Sequence, residues 1–142
     1  MSKYNFALAL GIILIIIDRL FKLLALKLPA EGLFYFHNLF GLKLYLNKGI
    51  AFGLPLPLVV SIITPSIIIL VLIYLLLNNR YNAFALVLII IGAGSNLLDK
   101  IKYDNIIDLF TIKHLTVFNL ADIYIVIGLI CLTLNHKHLN QS

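Results

Sequence analysis

Apolar residues in this chain fall into four long runs, separated by stretches where glycine, proline, asparagine and lysine collect. The runs cover about residues 4–28, 58–77, 83–98 and 119–134. None shows the strict alternation of a half-buried strand. A bilayer core takes about 20 apolar residues in a helix, so these runs predict four membrane-spanning helices. The first reaches that length only by including Asp18 and Lys22. These two are four apart and share one helical face. In hydrocarbon such a pair turns towards protein rather than lipid, and its plainest role is an internal ion pair between helices. Arg19 and Lys27 have stems long enough to snorkel to an interface. Lys3 ahead of an apolar run resembles a secretory leader. Asp18, Arg19 and Lys22 interrupt that run, however, and further spans follow, so an uncleaved first span is expected.

The segment 29–57 has a different pattern. Pro29, Gly32, Asn38, Gly41, Asn47, Gly49 and Gly53 punctuate it, and LFYFHNLF and LKLYL between them read as strands. In NKGIAFGLPLP, from Asn47 to Pro57, Gly49 and Gly53 permit close backbone approach and Phe52 offers an aromatic surface. The motif serves either as a turn into the second helix or as an edge that grips a peptide, with the Asn47 amide as hydrogen-bonding group. Pro65 lies inside the second run, where a membrane helix tolerates a kink. NNRYN (78–82) makes a polar turn. Gly92 and Gly94 near the end of the third run allow another helix or a substrate to come close. KIKYDN, IIDLF and TIKHL then read as a loop segment over 99–118, and HKHLNQS as a tail. The expected fold is an all-α membrane protein of one domain, with four transmembrane helices and a small β-rich segment after the first.

Composition agrees. The chain is 62% hydrophobic and 12% charged, where a soluble domain carries roughly 25% charged residues. The net charge of +5 suits anionic lipid headgroups. Nucleic acid is excluded as a partner because the basic residues are scattered and form no soluble basic face. Cys131, the single cysteine, has no intrachain partner and reads as a small core or lipid-facing residue.

Acids are scarce and clustered. Of Asp18, Glu31, Asp99, Asp104, Asp108 and Asp122, four fall between Ser95 and Asp122. Asp108 sits in IIDLF and Asp122 opens IYIVIGLICLTL. A carboxylate at the centre of a membrane helix costs about 2.5–3.5 kcal/mol on insertion scales, so a chain that places two against apolar runs has a use for them. Asn96 and Asp99 are three apart, as are Asn119 and Asp122, so each pair shares a helical face. With four spans, the junctions 29–57 and 99–118 lie on one side of the membrane. Asp18, Lys22, Asn47, Asn96, Asp99, Asp108, Asn119 and Asp122 then converge on that side as one polar site. Two converging carboxylates are the minimum equipment of aspartic proteolysis. Charge does not orient the chain: Lys3, Arg80 and Lys137 flank one side, against Lys27, Lys43, Lys48, Lys100, Lys102 and Lys113 on the other.

DRLFK, NKGIAFG, GAGSNLLDK, IIDLF and FNLADIYIVIG resemble, in order, the five motif blocks of bacterial lipoprotein signal peptidase, also called signal peptidase II. The match spans residues 18–128. The resemblance implies an aspartic endopeptidase of the bacterial cytoplasmic membrane that cuts prolipoproteins before a cysteine already bearing diacylglycerol. It implies cytoplasmic termini, extracytoplasmic segments over about 29–57 and 99–118, and a site at the outer surface. It makes Asp108 and Asp122 the catalytic acids. Asp18, Lys22, Asn47, Gly49, Phe52, Asn96, Asp99, Lys100 and Asn119 become substrate-binding or site-supporting residues. It further implies a monomer in contact with membrane lipid, no metal or other cofactor, and inhibition by globomycin-type lipopeptides. Lys100 stands where the family usually has arginine, which loses the planar fork. Ser95 replaces a usual glycine, and Arg19 and Phe21 are unusual in the first block.

Other classes compete. A small membrane transporter or scaffold would use the same acids as ion sites or structural pairs, and would tolerate Asp108→Asn or Asp122→Asn. A presenilin-like protease needs a G-x-G-D block, whereas the acid nearest GAG is Asp99 at another spacing. A metalloenzyme has only His37, His114 and the tail pair His136 and His138 to draw on.

Overall fold

In the computed structural model the described residues are 3–35, 37, 39–48, 57–78, 81–113 and 115–139. Four helices carry most of them: α1 (Lys3–Ala25), α2 (Leu58–Leu77), α3 (Ala83–Tyr103) and α4 (Leu120–Leu139). Four strands, β1 (Leu33–Tyr35), β2 (Phe40–Asn47), β3 (Ile106–Ile112) and β4 (Thr116–Phe118), form one antiparallel sheet in the order β1-β2-β3-β4.

The helix ends follow local chemistry. Asn78 ends α2, its backbone N–H and side-chain amide both donating to the Tyr74 carbonyl. Asn82 opens α3 by accepting from the N–H groups of Phe84 and Ala85 at 2.9 and 3.3 Å, a standard N-cap. α2 continues through Pro65. α3 is the central helix, packed against α1, α2 and α4. A Cβ on Gly92 would lie 2.5 Å from the Ala121 carbonyl oxygen, and one on Gly128 would lie 2.8 Å from that of Ala85. These two glycines let α3 and α4 touch backbone to backbone. Gly94, expected to do the same, faces open space.

The molecule is apolar outside and charged within. Ile12, Ile13, Ile16, Leu20, Leu23 and Leu24 of α1 are exposed, as is most of α2, while Asp18, Lys22, Asp99 and Asp108 are buried. A contiguous apolar exterior of this kind meets lipid or protein rather than water. Among the described residues α2 and α3 are long and apolar enough to cross a membrane, and α4 carries a shorter apolar stretch, Leu120–Leu134.

Three expectations are corrected. β structure is not confined to the segment after the first helix: IIDLF is the third strand of the sheet, and TVF is the fourth. IIDLF is short and apolar on both sides of Asp108, so its pattern alone does not mark a strand. The third helix does not stop at Leu98. It runs five residues further, to Tyr103, placing Asp99 and Lys100 inside it, and ends where Asp104 adopts a left-handed conformation (φ 56°). The fourth helix begins one residue after Asn119 rather than with it.

The sheet docks on the end of α1. Ile107 and Leu109 of β3 bury against Ala25, with Leu28, Leu42, Leu44 and Tyr103 around them. On the other side of the strand Phe110 stacks on Phe118 at 5.5 Å and meets Phe21 of α1 at 6.1 Å. Asp108 alternates with Ile107 and Leu109 and shares a face with Phe110, so the same packing that seats the strand fixes its carboxylate.

Candidate active site

β2 and β3 pair with Tyr45 opposite Asp108 and Asn47 opposite Ile106. Asn47 is therefore the diagonal neighbour of Asp108 on one face, and its Nδ2 donates to Asp108 Oδ2 at 3.0 Å. The other oxygen, Oδ1, accepts from Asn119 Nδ2 at 2.7 Å.

Asn119 is the N-cap of α4. Its Oδ1 accepts from the Asp122 N–H at 3.0 Å, and Asp122 Oδ2 accepts from the Asn119 N–H at 3.1 Å. This reciprocal arrangement is a capping box, with Asp122 in the first turn. A carboxylate there also opposes the positive end of the helix dipole. The second oxygen of Asp122, Oδ1, accepts from Asn96 Nδ2 at 2.8 Å. Asn96 Oδ1 in turn accepts from Asn119 Nδ2 at 3.1 Å and from Lys22 Nζ at 2.8 Å. One asparagine thus touches Asp108, Asn96 and Asp122, and brings strand and helix carboxylates into a single network.

Beneath this network lies a quartet of charges. Asp99 accepts from Arg19 at 2.7 Å and from Lys22 at 2.6 Å. Asp18 accepts from Arg19 at 3.1 Å and Lys22 at 3.3 Å, and also from the Ser95 hydroxyl. Its other oxygen takes the Ala121 N–H at 3.0 Å, satisfying an otherwise orphaned donor at the start of α4. Buried charges persist only when paired in this way.

Asp108 is 1% exposed, and Asp122 is partly open. Burial pushes the Asp108 carboxyl above its ordinary value and the charge of Asp122 adds to this, while the bonds from Asn47 and Asn119 and the charge of Lys22 pull it back. A cavity of about 300 Å³ opens beside Asn96, lined by Val60, Thr64, Pro65, Lys100 and Ile125 among others. Among the described residues no group of three or more histidine, cysteine or acidic side chains could hold a metal ion.

The predicted residues therefore separate. Asp18, Lys22, Asn47, Asn96, Asp99, Asp108, Asn119 and Asp122 form one hydrogen-bonded assembly. Lys100 does not reach the two carboxylates: it is buried and donates to the backbone carbonyls of Lys48 and Asp104 at 2.7 and 2.9 Å. Gly49 and Phe52 lie outside the described residues. Two residues were missed. Arg19, expected at the lipid interface, turns inward to Asp99, Asp18 and Ser95. Ser95 accepts from it at 2.6 Å. The available signal was the spacing of Ser95 and Asp99, four apart on the face that meets α1.

Residues 10–137 match the family model described as signal peptidase (SPase) II. The chain belongs to the signal peptidase II family. Its relatives include a lipoprotein signal peptidase of Pelagibacter ubique, 36% identical over 97% of this chain and 95% of that one. Another, from Clostridium tetani, is 35% identical over 83% of each chain. A solved bacterial membrane enzyme matches with a TM-score of 0.83 over 97% of this chain and 92% of its own, at 20% identity. A second gives 0.82 over 92% of both chains, at 18% identity. These two likenesses speak to the fold. Signal peptidase II membership and the assembly around Asp108 and Asp122 thus meet in one chain.

Proposed function

We propose that this chain is a membrane aspartic endopeptidase. It removes the signal peptide from diacylglyceryl-modified prolipoproteins by cutting before the lipidated cysteine. The observation that carries the aspartic assignment is Asn119, which bonds to Asp108 while capping the helix turn that bears Asp122. Membership of the signal peptidase II family supports the substrate.

Two neighbouring carboxylates share a proton, because both cannot ionise easily. The ionised member of the pair takes a proton from a water, which attacks the scissile carbonyl. The protonated member donates to the developing oxyanion, and a proton then passes to the leaving amine as the C–N bond breaks. Titration belongs to the pair. Asn47, Asn96 and Asn119 hold the carboxylates in place, and Asp18, Lys22 and Asp99 support them from below. Lys100 anchors the chain at Lys48, and the family resemblance assigns Gly49 and Phe52, later in the sequence, to substrate binding. The apolar cavity between α2 and α3 suits an acyl chain or the signal-peptide core arriving from the bilayer.

The apolar exterior supports one multi-pass domain with all four helices in the bacterial cytoplasmic membrane. Both termini are cytoplasmic and the sheet lies on the outer surface. The enzyme acts as a monomer and is open to globomycin-type lipopeptides.

The test is cleavage of a diacylglyceryl prolipoprotein by purified protein, beside Asp108→Asn and Asp122→Asn and the same substrate without lipid. Wild type should cut before the lipidated cysteine, both variants should be inert, and the unlipidated substrate should remain whole. An inert wild type in a folded preparation, or variants that cut normally, would return these acids to a structural or ion-binding role.

A further inference from the structure

Among the described residues Lys22 is the one cation that ties the charge quartet to the catalytic network. Its side chain is 3% exposed. Its ammonium has three donors and three acceptors: Asp99 at 2.6 Å, Asp18 at 3.3 Å and Asn96 Oδ1 at 2.8 Å. The first two are an ion-pair role, which any scaffold could use. The third is different in kind. An amide presents an oxygen on one side and an NH₂ on the other, and can turn end for end. Asn96 Oδ1 receives Lys22 and Asn119 together, which leaves Nδ2 aimed at Asp122 Oδ1. Reversed, the amide would set its oxygen against a carboxylate and its NH₂ against two donors.

We infer that Lys22 is a positioning residue of the proteolytic reaction, fixing the Asn96 amide so that Asp122 and, through Asn119, Asp108 hold their reactive orientation. The inference rests on the aspartic-peptidase reading. The groups facing Lys22 are Asp18 and Arg19 of α1, Asp99 of α3, the Asn96 amide with Asp122 of α4 behind it, and Asp108 of β3, whose carboxyl feels the Lys22 charge. Arg19 does not substitute for it. Arg19 serves the same two acids and Ser95 but makes no bond to Asn96.

Two variants separate positioning from counter-charge. Lys22→Met removes the ammonium and leaves the quartet one positive charge short. Lys22→Met with Asp99→Asn restores balance, because Asp18 keeps Arg19, and it is read against Asp99→Asn alone, since Asp99 itself supports the site. A mere counter-charge predicts that the balanced variant matches Asp99→Asn in both stability and turnover. Positioning predicts that it matches in stability alone. Its kcat should stay about 100-fold below that of Asp99→Asn, the scale of a 1 Å misplacement, with KM changed by less than about threefold. In Lys22→Met the acid limb of the kcat profile should also move to higher pH, since a positive charge beside the carboxylates is gone. The probe is the diacylglyceryl prolipoprotein, with Tm read on the same samples. Turnover in the balanced variant equal to that of Asp99→Asn overturns the inference, and so does a balanced variant that fails to fold where Asp99→Asn folds. An inert wild type would instead strike at the peptidase reading itself.

Discussion

Asn119 performs two tasks that can be pulled apart. Its Oδ1 caps α4, and its Nδ2 holds Asp108. Asn119→Ala abolishes both. Losing an N-cap costs about 1 kcal/mol, and losing a hydrogen bond to a buried carboxylate costs about 1.5–3 kcal/mol. Together these predict a loss of roughly 2.5–4 kcal/mol, a large share of the few kcal/mol that hold a small fold. Asn119→Ser keeps an oxygen that can cap but cannot reach Asp108. It should recover about 1 kcal/mol over alanine, or about 2–4 °C in Tm for a chain of this size. Cleavage should not recover. Both variants should fall about 100-fold or more in kcat, because Asp108 loses the contact that sets its position. Thermal unfolding and prolipoprotein cleavage on one preparation decide the matter. Serine cutting within about threefold of wild type would refute the claim that Asn119 holds Asp108. Equal Tm for serine and alanine would refute the cap.

Gly92→Ala should lower Tm and cleavage together, because its methyl meets the Ala121 carbonyl at 2.5 Å and pushes the turn that carries Asp122; Gly94→Ala, facing open space, should change neither. Asn82→Ala should cost about 1 kcal/mol of stability while leaving kcat of the folded protein unchanged, since its bonds are confined to the start of α3. Asp108→Asn should show a pH signature in unfolding. The raised carboxyl of wild type contributes stability that is complete below the ordinary value of 3.8 and is lost as pH rises through the shifted one. The Tm of the variant minus that of wild type should therefore become more positive between acid and neutral pH, and a flat difference would contradict the burial of Asp108.

The helical frame was legible because long apolar runs mark helices by their length. The second run, 58–77, matches α2 at both ends. The convergence of polar residues was legible for a related reason: in a chain with six acids, two of them set against apolar runs, few arrangements satisfy those two. What escaped were features that depend on partners far apart in sequence. IIDLF becomes a strand only because β2 and β4 flank it. Arg19 has the length to snorkel, and turns inward because Asp99 and Ser95 arrive on another helix. The extra turn of α3 contains lysines that look like loop residues, yet Lys100 and Lys102 near its end suit the helix dipole. The three-residue spacing of Asn119 and Asp122 fits a shared helical face and equally encodes a capping box, which is what the structure contains.

That box and the hairpin before it divide the chain into lengths that can drift and lengths that cannot. Phe110 pairs with Phe118 across β3 and β4, so residues added at the turn between Ile112 and Thr116 leave both carboxylates where they are. One residue inserted between Asn119 and Asp122 would rotate the second carboxylate by about 100° around α4 and dissolve the cap that starts the helix. Homologous chains should accordingly vary in length at the hairpin tip and keep an invariant count from the cap to the acid.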